Sequence, residues 1–370
     1  LTAGGKSRNE FSGWSKDGTL IGFSSTERNG TDSDLYVLDP RNPASKRRVA
    51  EVSGGGWAIA DFAPGNGRAA VIEYISITKS NLHLLDLASG RMTPVGDHKK
   101  AIAWGDAEFA PDGTLWATSD EGSDVQRLGT VDLASGRFTP RGPSGRWDVD
   151  SFEISKDGRT IAFVTNEAGI ARLSLMDVAS GAVRRVEGLP AGQIGGLEFA
   201  PWGALGFSVN SAKSPTDAFS LDPATLAITR WTASETGGLD PAVNVEPELV
   251  TVKSFDGETV SGFLYRPDPR QFPGKRPLIV NIHGGPESQS RPGFLGRNNY
   301  LLNEQGIAIF FPNVRGSSGY GKRFVSLDNG PFLRENSVKD IGAFLARLKA
   351  DPAIDGDRLA VTGGSYGGYM

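Results

Sequence analysis

Apolar and polar positions alternate in short runs over the first 230 residues, and one pattern returns five times. Each copy of this pattern begins with an apolar residue and a Gly-containing turn, and the five segments read WSKDG, FAPGNG, FAPDG, ISKDG and FAPWG. The glycines that close these turns are 49, 46, 45 and 45 residues apart (Gly18, Gly67, Gly113, Gly158 and Gly203). A fixed period of this length predicts a repeated structural unit.

A second marker, a short alternating strand that ends in aspartate, keeps the same period. Its aspartates are 47, 46, 45 and 45 residues apart (Asp39, Asp86, Asp132, Asp177 and Asp222). Each repeat predicts about four antiparallel strands, with the central residues of its Asp-Gly hairpin at positive φ. Such repeats are typical of β-propeller blades. Because propellers close into a ring, we expect further blades upstream of these five.

The pattern changes after Trp231. A Gly- and Pro-containing segment at residues 236–248 predicts a linker, and strands then alternate with helices. The predicted strands are 248–254, 260–265, 277–282, 307–312 and 358–362, and the predicted helices are 298–305 and 336–349. Asn336 or Ser337 is the expected N-cap of the second helix. This order is typical of the first half of an α/β sheet.

Composition narrows the function classes. Apolar residues make up 38% and charged residues 22% of the 370, as in ordinary soluble globular proteins. The net charge of -4 argues against a nucleic-acid partner, and the apolar runs are too short for a membrane span. With no cysteine, disulfides and thiolate chemistry are excluded, and the compartment, cytoplasmic or periplasmic, stays open. We expect no cofactor and no metal, and interpret Asp32 and Asp34 as turn residues.

Two motifs carry candidate chemistry. Residues 363–367 read GGSYG and fit G-x-S-x-G, in which a serine, here Ser365, lies on a sharp turn between a strand and a helix. The motif alone is weak in a chain with 49 glycines, but it follows a predicted buried strand. Upstream, NIHGGPE at residues 281–287 ends another strand, and its Gly-Gly step lets backbone N–H groups approach an oxyanion.

The motifs HGGPE, FFPNVRGSSGYGKRF (residues 310–324) and GGSYGGYM, in that order behind propeller repeats, resemble the prolyl oligopeptidase family of serine peptidases. The acylaminoacyl-peptidase and dipeptidyl-aminopeptidase branch is the most similar. The resemblance implies two domains, a partial β-propeller at residues 1–240 and a truncated α/β-hydrolase catalytic domain at 241–370.

The resemblance also implies site residues. Ser365 would be the nucleophile, and the Tyr366 N–H with an N–H of Gly284 or Gly285 would form the oxyanion hole. His283 stands where several relatives carry a tyrosine whose hydroxyl serves that hole, so backbone donors must suffice. Three further residues of the 310–324 motif are interpreted as scaffolding near the site (Asn313, Arg315 and Tyr320).

A serine nucleophile needs a base, normally a histidine oriented by a carboxylate. The chain has three histidines. We expect His83 and His98 to be structural or exposed, and His283 to belong to the strand that ends in the Gly-Gly motif of the oxyanion hole. In this fold Asp and His follow the serine. We therefore expect a fragment cut at both ends. Without the Asp and His it should be inactive by itself. It should also be prone to aggregate, because the nucleophile strand would be left as a sheet edge.

Three functions remain open. The first is a serine peptidase whose propeller restricts substrates to oligopeptides. The second is an esterase-like acyl hydrolase, because the same site cleaves esters and amides. The third is a propeller that binds a partner beside a vestigial hydrolase domain. Side-chain specificity, the choice between exo- and endopeptidase, and homo-oligomerisation stay undecided.

Overall fold

The computed structural model describes residue 2 and residues 4–370. These residues form two compact units. The first comprises the chain up to Gly145 together with Val149–Phe163 and Leu175–Val183, and the second comprises Arg146–Asp148, Val164–Ser174 and Arg184–Met370. The domain boundary expected between residues 240 and 241 stays a prediction.

Five four-stranded sheets follow one another, and in each the strands pair in chain order. Blade 1 is β1 (Asn9–Trp14), β2 (Ile21–Ser25), β3 (Asp34–Asp39) and β4 (Asn42–Ala50); blade 2 is β5 (Trp57–Phe62), β6 (Arg68–Ser76), β7 (Lys79–Asp86) and β8 (Met92–Val95). Blade 3 is β9 (Trp104–Phe109), β10 (Leu115–Ser119), β11 (Arg127–Val131) and β12 (Phe138–Pro140); blade 4 is β13 (Val149–Ile154), β14 (Thr160–Glu167), β15 (Ile170–Asp177) and β16 (Val183–Arg185). Blade 5 is β17 (Gly192–Phe199), β18 (Leu205–Ser211), β19 (Ser214–Leu221) and β20 (Ile228–Arg230). The predicted five propeller blades are confirmed.

The first repeat marker forms a different turn from the one predicted. In blade 1 the Gly18 N–H donates to the Ser15 carbonyl at 2.9 Å, and Gly18 has φ +69°. Asp17 is not one of the described residues with positive φ. Its carboxylate instead accepts a hydrogen bond from the Thr19 N–H at 3.0 Å. The prediction that both central residues take positive φ is therefore wrong. Aspartate serves this turn as a hydrogen-bond acceptor, and only glycine supplies the left-handed conformation.

The second marker recurs because each aspartate caps the turn that follows it. Asp86 Oδ1 accepts from the backbone N–H of Ser89 at 2.8 Å and from its hydroxyl at 2.7 Å. The same pair of bonds recurs in blades 3 and 4 (Asp132 with Ser135, Asp177 with Ser180). These bonds hold the pKa of each carboxyl below its usual range. The sequence period thus reflects repeated turn chemistry.

Neighbouring blades of the first unit share apolar cores. Blades 1 and 2 bury one cluster around Leu35 and Phe62, and blades 2 and 3 bury another around Leu82 and Phe109. Burial of such side chains contributes about 1.5–3 kcal/mol each. The packing of blade faces therefore supplies the core of this unit.

A five-stranded mixed sheet follows the blades, in the order β21 (Glu248–Lys253), β22 (Thr259–Tyr265), β24 (Ala308–Asn313), β23 (Arg276–Ile282) and β25 (Ile354–Gly363). β23 pairs in parallel with both β24 and β25, and the other two pairings are antiparallel. The helices are the 3₁₀ turns Pro241–Val243 and Gly296–Asn298, α1 (Asn299–Asn303), α2 (Lys322–Val325), α3 (Glu335–Lys349) and α4 (Tyr366–Tyr369). This is the predicted α/β region.

The start of α3 differs from its prediction. The helix begins at Glu335 with Arg334 as N-cap and no capping side chain, so Asn336 and Ser337 lie inside it. Ser337 is instead fully buried and donates its hydroxyl to the Arg315 carbonyl at 3.2 Å. The apolar face of α3 packs on the sheet, with the Phe344 and Phe310 rings 4.8 Å apart.

β25, the strand that precedes Ser365, lies at an edge of the sheet, as expected for this stretch of chain. β25 begins four residues before its predicted start at Arg358, and Val361 is 55% exposed. Aggregation through this edge stays a prediction. Among the described residues, none of the helices has the length and apolar character that crossing a bilayer requires.

Candidate functional site

Ser365 lies on a turn between β25 and α4. Its φ and ψ are 53° and -122°, a conformation that costs a non-glycine residue about 1–3 kcal/mol. The helix holds this turn, because the N–H groups of Gly368 and Tyr369 both donate to the Ser365 carbonyl, at 3.0 and 3.1 Å. The side chain is exposed. A strained, accessible serine after a strand is the geometry that the G-x-S-x-G motif predicts.

The two outer glycines of the motif have no room for a side chain. A methyl group on Gly367 would lie 2.1 Å from the Ile282 carbonyl oxygen, and one on Gly363 would lie 2.4 Å from the Gly367 oxygen. Gly364, by contrast, has no atom within 4 Å of that position. Close packing of α4 on the end of β23 therefore fixes the turn.

The sheet register brings the two motifs together. Ile282 of β23 is paired with Gly363 of β25 in a parallel ladder. The residues that follow the two strands therefore leave the sheet side by side, at the carboxyl ends of the strands. A methyl group on Gly284 would lie 3.3 Å from Ser365 Cβ and 3.8 Å from Ser365 Oγ. Gly284 and Ser365, 81 positions apart, are thus neighbours. Gly285, the other glycine of the step, has φ +125° and is exposed.

His283 is held at both ring nitrogens. Nδ1 lies 2.8 Å from the Gly284 carbonyl, and Nε2 lies 3.0 Å from the buried Ser317 hydroxyl. Because a carbonyl only accepts, Nδ1 donates and Nε2 of the neutral ring accepts from Ser317. Burial lowers the pKa of His283, which favours this neutral form. In a trans peptide the N–H points opposite to the carbonyl, so the bond to Gly284 also directs the Gly285 N–H.

The loop after β24 is fixed by an ion network around one buried arginine. Arg315, 3% exposed, bonds Asp340 of α3 and Asp256 of the β21–β22 turn. Burial opposes the charge of Arg315, but the two carboxylates outweigh it and raise the arginine pKa. Arg315 in turn lowers the pKa of Asp256 to about 2. Sequence reasoning singled out Arg315 but missed both partners, although Asp340 interrupts the apolar stripe of α3.

Tyr366, directly after the serine, contacts another buried carboxyl that sequence reasoning missed. Its hydroxyl donates to Asp328 Oδ2 at 3.2 Å, and the Arg334 guanidinium lies over its ring at 5.3 Å. Burial raises the pKa of Asp328, against the opposing effects of Tyr366 and Arg334. The Tyr366 side chain is therefore anchored away from the serine hydroxyl, and only its backbone N–H is a candidate for the oxyanion hole.

The other predicted scaffold residues contact each other. Asn313 donates to the Tyr320 hydroxyl at 3.0 Å, and this hydroxyl lies 2.8 Å from the Ser261 hydroxyl. Burial raises the pKa of Tyr320. In the first unit, His83 and His98 pack edge to face in blade 2, 4.7 Å apart. No group of three or more metal-ligating side chains is found in the described part of the chain.

Comparisons with known proteins agree on one family. The model of the Prolyl oligopeptidase family matches residues 293–370. Dipeptidyl-peptidase 5 of Porphyromonas gingivalis is 26% identical over 303 residues, which cover 80% of this chain and 44% of that protein. Dipeptidyl aminopeptidase BIII of Pseudoxanthomonas mexicana is 26% identical over 357 residues, 78% of this chain and 50% of that protein.

A crystal structure of puromycin hydrolase matches with a TM-score of 0.81 and 21% identity, over 98% of this chain and 58% of that one. A likeness at this identity shows the fold, a propeller with a hydrolase region. The chain spans about half the length of the curated relatives that it matches. The family model over residues 293–370, the relatives and the fold all point the same way: the chain is similar to the prolyl oligopeptidase family.

Proposed function

We propose that the protein is a serine peptidase that hydrolyses short peptides through an acyl-enzyme on Ser365. One observation carries the proposal: a strained, exposed serine lies directly beside Gly284 at the edge of the sheet. Such strain adds nothing to stability, which supports a catalytic role over a vestigial hydrolase domain. Relatives named dipeptidyl-peptidases make N-terminal dipeptides the first products to test.

In the proposed mechanism, Ser365 Oγ attacks the scissile carbonyl while a base removes its proton. The carbonyl oxygen becomes an oxyanion and accepts hydrogen bonds from the N–H groups of Gly285 and Tyr366. The Gly285 N–H is favoured over that of Gly284 because His283 directs the Gly284–Gly285 peptide. Collapse of the intermediate expels the amine, which takes a proton from the protonated base, and water then releases the acyl group.

The proposal requires a base other than His283, because both of its ring nitrogens are already bonded. His83 and His98 pack against each other within blade 2. We therefore expect the 370 residues alone to show no serine-hydrolase turnover. Activity is tested in the natural polypeptide that carries this sequence.

The direct test is labelling with a fluorophosphonate, which reacts fastest with activated serines. The natural polypeptide should be labelled at Ser365, and Ser365→Ala should abolish the label. A peptide amide is then compared with a p-nitrophenyl ester, and oligopeptides with an unfolded protein. Cleavage of the ester alone would favour an esterase, and equal cleavage of long and short chains would argue against propeller gating.

A further inference from the structure

The segment at residues 284–295, here called the oxyanion loop, has no helix or strand of its own. It includes Gly284 and Gly285 and ends at the 3₁₀ turn Gly296–Asn298. On the sheet side it is held by Asn313, whose Oδ1 accepts from the Ser290 N–H at 2.6 Å and whose Nδ2 donates to the Ser290 carbonyl at 2.9 Å. Backbone without a ladder depends on such outside partners for its position.

Blade 4 contacts this loop through the tip of its β14–β15 hairpin. Ala168 and Gly169 form a two-residue connection with φ of +53° and +95°, and Asn166 Oδ1 accepts from the Gly169 N–H at 2.8 Å. Asn166 is only 3% exposed, and its Nδ2 donates to Gln289 Oε1 of the oxyanion loop at 2.7 Å. One side chain therefore holds both the hairpin tip and the loop.

The hairpin tip fits closely against the loop. The Gly169 carbonyl accepts from Arg291 Nε at 3.0 Å. A methyl group on Gly169 would lie 2.9 Å from the Phe263 ring and 3.2 Å from the Ser290 carbonyl oxygen. The tip thus occupies a site with no space for a larger residue, and a left-handed alanine beside it costs about 1–2 kcal/mol.

Blade 5 holds the far end of the loop. Asn210 of β18 accepts from the Phe294 N–H at 2.9 Å through Oδ1, and Gln193 of β17 donates to the Pro292 carbonyl at 3.3 Å. A methyl group on Gly293 would lie 2.7 Å from Asn210 Oδ1. The loop is therefore bonded to blade 4 near its middle and to blade 5 near its end.

We propose that Asn166 and Asn210 are positioning residues that hold the oxyanion loop in its catalytic geometry. This inference rests on the function proposed above. Hydrogen-bond donors stabilise a transition state only when they are held within about 0.5 Å of the required place. Because the two asparagines act on the loop and not on bound substrate, their loss lowers kcat and leaves KM nearly unchanged.

The first test is hydrogen exchange of the natural polypeptide, which needs no activity. Backbone amides between Gly284 and Ser290 should exchange at least about fivefold faster in Asn210→Ala and in Gln289→Met. Gln289→Met breaks the blade 4 contact from the loop side and leaves the hairpin unchanged. Asn81→Ala is the matched control, because it removes a partly buried side-chain hydrogen bond, 2.7 Å long, from Asn81 Nδ2 to Glu73 in blade 2. Unchanged exchange in both test variants overturns the inference.

The second test is steady-state kinetics. We expect Asn210→Ala and Gln289→Met to lower kcat about tenfold with KM within about twofold, and Asn210→Asp, which keeps the oxygen acceptor, to recover most of the rate. A rise in KM at constant kcat would overturn the positioning role in favour of substrate binding. If the wild-type protein has no turnover, the proposed function fails, and the exchange experiment still decides whether the blades hold the loop.

Discussion

Arg315 and Asp340 form a two-pronged buried ion pair, with Nε 3.0 Å from Oδ2 and Nη2 2.8 Å from Oδ1. The Arg315 backbone N–H also donates to Asp340 Oδ2 at 2.9 Å, and Ser254 Oγ donates to Oδ1. Asp340 is therefore bonded to the loop after β24 and to the end of β21. This carboxylate joins α3 to the loop that includes Ser317, the partner of His283.

Replacing Arg315 by leucine leaves Asp340 buried without a counter-charge. We expect Arg315→Leu to lower the free energy of unfolding by about 3–5 kcal/mol, measured by urea denaturation with hydrogen exchange at α3 to assign the transition. Arg270→Leu is the control, because Arg270 is 89% exposed and water screens its pair with Asp268. Equal effects of the two substitutions would contradict the argument.

Lys16 neutralises two carboxylates between the blades of the first unit, with Nζ 3.0 Å from Asp61 and 2.8 Å from Glu108. These carboxylates accept backbone N–H groups of the next blades, at Phe109 and Ile154. Burial raises the pKa of both carboxyls, although Lys16 opposes it. Burial would lower the pKa of Lys16, but the two carboxylates raise it.

We expect Lys16→Met to destabilise the first unit by about 1–3 kcal/mol at pH 8 and by much less near pH 4. The direction of this pH dependence follows from the raised pKa values of the two carboxyls. The folded state retains protons that the unfolded state loses above about pH 4, so stability falls as the pH rises through the folded pKa. Thermal unfolding from pH 4 to 8 measures this, with the exposed Lys100→Met as control. A loss independent of pH would contradict it.

Sequence patterns predicted what local chemistry determines. The blades were found because Asp86 and its counterparts repeat one turn, and Ser365 because its strain needs glycine neighbours. Contacts between distant residues carry no such pattern. Asp340 meets Arg315 across 25 positions, and Asn166 meets Gln289 across 123. The N-cap of α3 was missed because tertiary contacts hold Ser337, a residue whose type favours capping.

We expect His283 to orient the Gly284–Gly285 peptide group without acting as the base. We expect His283→Phe, which removes the donor to the Gly284 carbonyl, to lower kcat about tenfold with KM within about twofold. His283→Asn should restore part of the rate, because its amide nitrogen replaces Nδ1 as donor. If asparagine and phenylalanine give the same rate, the bond to Gly284 has no catalytic role.

His283 should also make the free energy of unfolding of the wild-type protein depend on pH. Its lowered pKa means that the unfolded state binds a proton below about pH 6.5 that the folded state does not. Its contribution to stability is present above that pH and is lost as the pH falls. Denaturation of the wild type and His283→Phe between pH 5 and 8 tests this, and identical slopes would contradict it.

The three glycines of GGSYG should differ sharply in their tolerance of alanine. Gly367→Ala places a methyl group 2.1 Å from the Ile282 carbonyl oxygen, so α4 must move away from β23, which costs about 1–3 kcal/mol or more. Gly364→Ala meets no atom within 4 Å, and Gly364 is not among the positive-φ residues. In the natural polypeptide we expect fluorophosphonate labelling to fall at least about 100-fold in Gly363→Ala and Gly367→Ala, and less than about threefold in Gly364→Ala. Uniform loss in all three would mean that flexibility of the turn, and not its close packing on β23, sets the reactivity of Ser365.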